Sequence, residues 1–282
     1  MGATRLSPRP RRYARMAAKP KANRPGGYAQ ARYERGLSNY RRRARPIFAV
    51  IFGPFILAGF AFLVKDGHPY AWGAGAITGA FAMVWIALRD EPPAYIANWR
   101  EGAEGERKTA KALRPLQRSG LRVFHDVQCR YGNYDHVVVG AAGVFLLETK
   151  NLNGIVELED GVAHLHRRLD PDANSRLEKI RPRVLSAAAA LKRDVEDRTG
   201  HRAWVQGVVV FWGDFPQGLL DDGRCVFIHG SRLRDWLRAR PGRLDQQKAG
   251  EIAAAVAGIA EQEPMSALGE KMPAASAALT AR

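Results

Sequence analysis

The chain has 282 residues, with 44 Lys+Arg against 28 Asp+Glu and a formal net charge of +16. That charge is concentrated: residues 1–45 hold 14 basic residues and one acid, Glu34, while the remainder hold 30 basic and 27 acidic residues. A hydrophobic content of 46% excludes a wholly disordered chain; two cysteines, Cys129 and Cys225, with no Cys-x-x-Cys pair, exclude a disulfide framework and point to no structural zinc. A reducing, cytosolic setting is the simpler expectation for the main domain.

Residues 1–45 are rich in Arg, Pro, Gly and Tyr without apolar periodicity, which predicts a disordered basic arm. Such an arm can meet nucleic acid or the anionic lipid headgroups of a bilayer, and its neighbours favour lipid. Arg41-Arg42-Arg43-Ala44-Arg45 leads into residues 46–64, 19 residues without a charge, and a second uncharged stretch spans residues 70–88. At 1.5 Å per residue, a helix of that length matches the roughly 30 Å apolar thickness of a membrane. The link Lys65-Asp66-Gly67-His68-Pro69 is so short that the two spans must form an antiparallel transmembrane hairpin. Arginines before the first span and Arg89 after the second predict a two-span, multi-pass protein of the plasma membrane, with both termini and the following domain cytoplasmic. Tyr70, Trp72 and Trp85 fit interfacial belts, and Ala71, Gly75 and Gly79 offer a close-packing face. A cleaved signal peptide is disfavoured by the 45-residue lead and the second span. Arg11-Arg12 has no apolar region close enough for a twin-arginine signal, and Pro54 with several glycines weakens both stretches as buried core helices.

After Pro92-Pro93, a soluble domain is expected over residues 95–230, with its core at 101–212, followed by C-terminal helices at 231–262 and a disordered tail at 263–282. Trp99 to Leu116 reads as a helix whose Ala103, Glu106, Ala110 and Leu113 share one face, which turns Glu106 inward. A carboxylate so placed needs a cation near it. Leu121–Cys129, Tyr134–Val139 and Val144–Lys150 read as strands, the last two joined by the turn Gly140-Ala141-Ala142-Gly143. A loop centred between Ala141 and Ala142 opposes Val139 to Val144, Val137 to Leu146 and Asp135 to Glu148.

Directly opposed residues have Cβ atoms roughly 4.5 to 5.5 Å apart, so Asp135 and Glu148 repel. Lys150, on the face of Glu148, supplies one compensating charge. A divalent cation, with Mg²⁺ the natural candidate among hard, oxygen-preferring ions, would supply the rest. Further along, Asn174–Asp197 reads as a helix, Val205–Phe211 and Cys225–Ile228 as strands, Ser231 as the N-cap of a helix over 232–239, and Leu244–Ala260 as the final helix. His164 and His166 share a strand face and read as exposed polar positions rather than metal ligands, while His136 reads as packed or hydrogen-bonded. No Gly-x-Ser-x-Gly elbow or dinucleotide fingerprint is present, and Gly102–Thr109 lacks the second glycine of a phosphate loop.

Asp135, followed after twelve residues by Glu148-Thr149-Lys150, resembles the PD-(D/E)xK nuclease pattern. More closely, Gly102-Ala-Glu-Gly-Glu106, Tyr134-Asp-His-Val-Val-Val-Gly140 and Gly143-Val-Phe-Leu-Leu-Glu-Thr-Lys-Asn151 with Gly154 resemble the nuclease-related domain family, NERD, over residues 101–212. The resemblance implies an α/β, restriction-endonuclease-like fold with a mixed sheet flanked by helices. It also implies a nuclease in which Asp135 and Glu148 bind Mg²⁺ (or Mn²⁺), Glu106 assists as a further ligand, and Lys150 orients or deprotonates the attacking water. The implied partner is nucleic acid, DNA ahead of RNA. Family members often carry a Gln on the helix after the hairpin; residues 170–179 have none, leaving Asn174 or Lys179 in its place. The alternative is a membrane-anchored module that binds nucleic acid or a protein on the same scaffold without catalysis.

Overall fold

The computed structural model describes residues 24–64, 71–90, 92–129, 132–167, 172 and 174–261. Helix α1 (Gly27–Val64) has 38 residues and contains Pro46 and Pro54; α2 (Ala71–Asp90) follows, and α3 (Ala94–Gln117) opens the main domain. Residues 27–45, expected to be disordered, are thus helical; residues 1–23 of the expected arm lie outside those described. The correction has a tertiary cause. Ala29 and Ala44 are buried, Gly36 lies against Ile96 of α3, and the Arg32 guanidinium donates to the Tyr28 hydroxyl while lying over the Trp99 ring. Packing on α3 stabilises a helix that its own periodicity does not announce.

The first apolar stretch is the second half of α1 and the second is α2. The two pack through Phe81, which stacks on Phe55 with ring centroids 5.1 Å apart and meets Phe52 at 6.1 Å. Gly79, expected to bring the helices close, has nothing within 4 Å of an added Cβ. Among the described residues no helix is long and apolar enough to cross a membrane. The link 65–69, Tyr70 and the side chains of Ala71 and Trp72 lie outside the described residues.

The domain is a mixed α/β structure. β1 (Arg122–Cys129), β2 (Gly132–Gly140) and β3 (Gly143–Lys150) form an antiparallel meander. β7 (Val205–Phe211) joins β3 in parallel, β9 (Cys225–His229) joins β7 in parallel, and β8 (Leu219–Asp221) closes the edge, giving the order β1-β2-β3-β7-β9-β8. A second, three-stranded sheet consists of β4 (Ile155–Glu159), β5 (Val162–His166) and β6 (Ser175–Arg176).

The β2–β3 register pairs Val139 with Val144 and Val137 with Leu146, as the two-residue Ala141-Ala142 loop requires, but the ladder ends at His136–Leu147; the expected opposition of Asp135 and Glu148 is not one of its pairs, and Asp135 accepts the Thr149 amide instead. Period-two alternation then sorts the two faces. Val137, Val139, Val144 and Leu146 pack with α4 (Ile180–Thr199) and α6 (Gln246–Glu261). Val138, Phe145 and Leu147 pack with α3 and α5 (Leu233–Arg238).

Helix α4 begins at Ile180 rather than near Asn174, because Ser175 and Arg176 pair with β5 as β6 and the Leu177 amide donates to the Ala163 carbonyl. Ser231 is no helix cap: its hydroxyl meets the His229 ring, and Arg232 stands at the N-cap of α5 without a side-chain bond. Asp245 instead accepts the Lys248 amide at 2.7 Å and starts α6.

Candidate active site

Helix α3 approaches the end of β3 because Gly105 lets it. A Cβ at Gly105 would come within 2.6 Å of the Asn151 Cβ and 3.1 Å of the Thr149 Cγ2. One turn later the contact is sealed by hydroxyls: Thr109 Oγ1 lies 3.0 Å from Thr149 Oγ1 and accepts the Trp212 indole N–H at 2.7 Å. This approach carries Glu106, next to Gly105, into a buried position with 6% of its surface exposed.

On the sheet, the Lys150 Nζ donates to Glu148 Oε1 at 2.7 Å, and the Thr149 amide donates to Asp135 Oδ2 at 2.8 Å across the β2–β3 hairpin. The charges of Glu148 and Lys150 reach both Glu106 and Asp135, and Glu106 reaches Asp135. The Asp135 carboxyl is held well above its ordinary range, first by burial and then by repulsion from Glu148 and Glu106, with Lys150 and the Thr149 amide working the other way. Glu106 is pushed up to about 8 by burial, by Asp126 and by Glu148, partly offset by a hydrogen bond from Gly26 and by Lys150. Burial works against the Lys150 ammonium, but Glu148 and Asp135 outweigh it and raise its pKa. The cluster therefore carries more carboxylates than its lysine can neutralise. Among the described residues, no group of three or more His, Cys, Asp or Glu is arranged as a ready-made metal cage.

Three features escaped the sequence reading. Asp126 is a buried carboxylate in left-handed backbone conformation (φ 53°), between the β1–β2 pairs His125–His136 and Val127–Tyr134. It accepts the Asn133 amide group at 2.6 Å and the Tyr28 backbone N–H at 2.7 Å, while Gly26 N–H donates to Glu106 Oε2 at 3.0 Å. The first turn of α1 thus rests on two carboxylates, a favourable arrangement for a helix N-terminus. Gly26 is in the left-handed region (φ 71°), and an added Cβ would lie 2.7 Å from the Ala103 carbonyl oxygen. The sequence signal for this docking is faint: Pro25-Gly26-Gly27 ahead of a helix.

The third feature is Arg183, in the first turn of α4, whose charge reaches Lys150. The two residues expected to replace the missing Gln do not: Asn174 is exposed and accepts the Arg167 amide, and Lys179 is exposed at the N-cap of α4. His136 is fully buried, paired at 2.8 Å through Nδ1 with His125, and burial holds its pKa well below the ordinary value. His166 lies 3.7 Å from Glu157 and is partly exposed.

Fold and site together define a mixed α/β domain with a cation-poor acidic cluster at the end of a sheet hairpin. Residues 101–212 match the NERD family, the nuclease-related domain, which points to a nuclease-related function for this part of the chain. Neither the curated proteins nor the solved structures yield a match.

Proposed function

We propose that the chain is a membrane-anchored, metal-dependent nuclease that hydrolyses phosphodiester bonds, of DNA in preference to RNA, on the cytoplasmic side of the plasma membrane. The observation that carries the catalytic part is the crowding of Glu106, Asp135 and Glu148 about Lys150, in which mutual repulsion and burial raise the proton affinity of Glu106 and Asp135. Their oxygens are the donors that Mg²⁺ or Mn²⁺ prefers, and Mg²⁺ is commonly held by one or two carboxylates with water and substrate phosphate completing its shell, so a three-carboxylate cage is not required. Asp135 and Glu148 would hold the ion, with Glu106 beside them. Bound there, it would supply Lewis-acid polarisation of the scissile phosphate.

The raised pKa of Lys150 keeps the ammonium charged, which suits it to stabilising negative charge on the phosphate oxygens rather than to taking a proton from water. Glu106, with its proton affinity near neutrality, is the group suited to accept one. The test is incubation of the full chain with labelled DNA and RNA in Mg²⁺, Mn²⁺ or chelator. Cleavage should require metal, favour DNA, vanish in Asp135→Ala and fall by roughly 10² to 10³-fold in Lys150→Ala. Cleavage that persists in both variants would overturn the assignment.

Anchoring is supported by apolar side chains left open to the surroundings on both helices of the hairpin. Val50, Leu57, Phe60, Ile77 and Met83 are each more than half exposed, reaching 75% at Val50. Exposed apolar side chains in such number mark a membrane or protein contact, and the uncharged lengths of 19 residues, flanked by arginines, favour the membrane with the domain cytoplasmic. The basic residues preceding the hairpin would then face anionic lipid headgroups.

A further inference from the structure

Beside the acidic cluster runs a groove of about 560 Å³ that none of the reactions above uses. One wall is the outer face of α3, with Lys108, Lys111, Ala112 and Pro115; the other is the turn after β9 and the start of α5, with Gly230, Ser231 and Arg234; Trp212 lies between them. Its lining has three cations and no carboxylate. We propose that this groove binds the sugar-phosphate backbone of the nucleic acid on one side of the bond being cut.

Groove and site adjoin at the end of β3. The Lys108 ammonium donates to Asn151 Oδ1 at 3.2 Å, and Asn151 adjoins Lys150; the Trp212 backbone N–H donates to the Lys150 carbonyl at 2.9 Å. The groove stands on the α3 face of the sheet, with Thr149 and Trp212, whereas Lys150 stands on the α4 face with Arg183, so a strand whose phosphate sits against Lys150 reaches the groove by passing over the end of β3 at Asn151. The groove is also built rather than incidental. Trp212 is fixed by its indole bond to Thr109, and its ring lies over Gly230, where an added Cβ would approach to 2.4 Å. The cations have only loose competition: Lys108 is 3.6 Å from Glu104 and Arg234 is 3.0 Å from Asp235, both solvent-exposed pairs of the kind worth little. A polyphosphate backbone, with its release of condensed counterions, displaces such partners. The positions are spread along a channel, as a chain of phosphates requires, whereas a single small anion would call for convergence on one point.

This inference rests on the nuclease reading for the nature of the polymer, but its test does not depend on turnover. Binding of a fluorescein-labelled oligonucleotide to the full chain is followed by anisotropy in chelator, over a range of salt, for wild type, Lys111→Gln/Arg234→Gln, and the charge-matched control Arg176→Gln/Arg202→Gln on distant surfaces. The residues of the N-terminal arm are common to all three proteins. Removing two phosphate contacts should weaken binding at least tenfold at low salt and reduce the slope of log K against log salt by about 1.4 to 1.8, while the control stays near wild type. Equal affinity and equal slope in the groove variant and wild type, an equal loss in the control, or no oligonucleotide binding by wild type would each overturn the groove. Absence of metal-dependent cleavage by a wild type that binds through the groove would count against the nuclease reading alone.

Discussion

Two side chains decide what the cluster can do. Glu106 has a carboxyl pKa raised from 4.5 to about 8, so the folded, metal-free protein keeps a proton that the unfolded chain gives up. Its contribution to stability is fully present below pH of about 4.5 and is lost as pH rises toward about 8. Glu106→Gln, studied by urea denaturation in chelator, should gain on wild type progressively across that window and reach an advantage of about 1 to 3 kcal/mol at its upper end, typical for relief of an uncompensated buried charge. Parallel pH profiles would contradict the placement of that charge. In the proposed reaction Lys150 would meet the phosphate: with its ammonium held charged by Glu148 and Asp135, Lys150→Ala should lower the cleavage rate by roughly 10² to 10³-fold, the cost of removing a preorganised positive contact to developing charge. Lys150→Arg should restore part of it in a rate assay, which a proton-abstracting lysine would not allow.

At the scale of elements, the site exists because α3 lies close to β3, and one glycine permits that. Gly105→Ala would set a methyl group against the Asn151 Cβ and the Thr149 methyl, forcing α3 outward at a cost of about 1 to 3 kcal/mol, measurable as a lower denaturation midpoint. Gly102→Ala meets nothing within 4 Å, and its midpoint should stay near that of wild type.

The same elements show what sequence can and cannot reveal. The β2–β3 register was legible because a two-residue loop and strict alternation leave one pairing that buries Val137, Val139, Val144 and Leu146 together. The inward turn of Glu106 was legible because Ala103 and Leu113 fix the buried face of α3. The helical nature of residues 27–45 was not, since it depends on Ile96, Trp99 and the two carboxylates that receive its first turn, all distant along the chain. Asp126 was hidden for the same reason: a single acid in a strand says nothing of a left-handed kink or of a helix N-terminus docked upon it.

The whole molecule joins an apolar helical pair to this domain through one continuous helix. Its first turn is bonded to Glu106 and Asp126, and its second half carries Val50, Leu57 and Phe60 outward. Helix α1 therefore runs from the two carboxylates to the apolar pair. If that surrounding is a bilayer, the full chain should float with lipid vesicles and stay with the membrane fraction after alkaline carbonate washing. A variant with Asp at Val50, Leu57 and Ile77 should be released, since each charge near the centre of a membrane costs about 2.5 to 3.5 kcal/mol.

The central claim is that the acidic cluster at the end of the β2–β3 hairpin is one short of a divalent cation, and titration calorimetry with Mn²⁺ tests it most directly. The wild-type chain should bind a saturable ion that Mg²⁺ displaces, and both Asp135→Ala and Glu148→Ala should abolish that binding while keeping the folded circular dichroism of the parent. Binding that is absent from the wild type, or that survives both substitutions unchanged, would contradict the account.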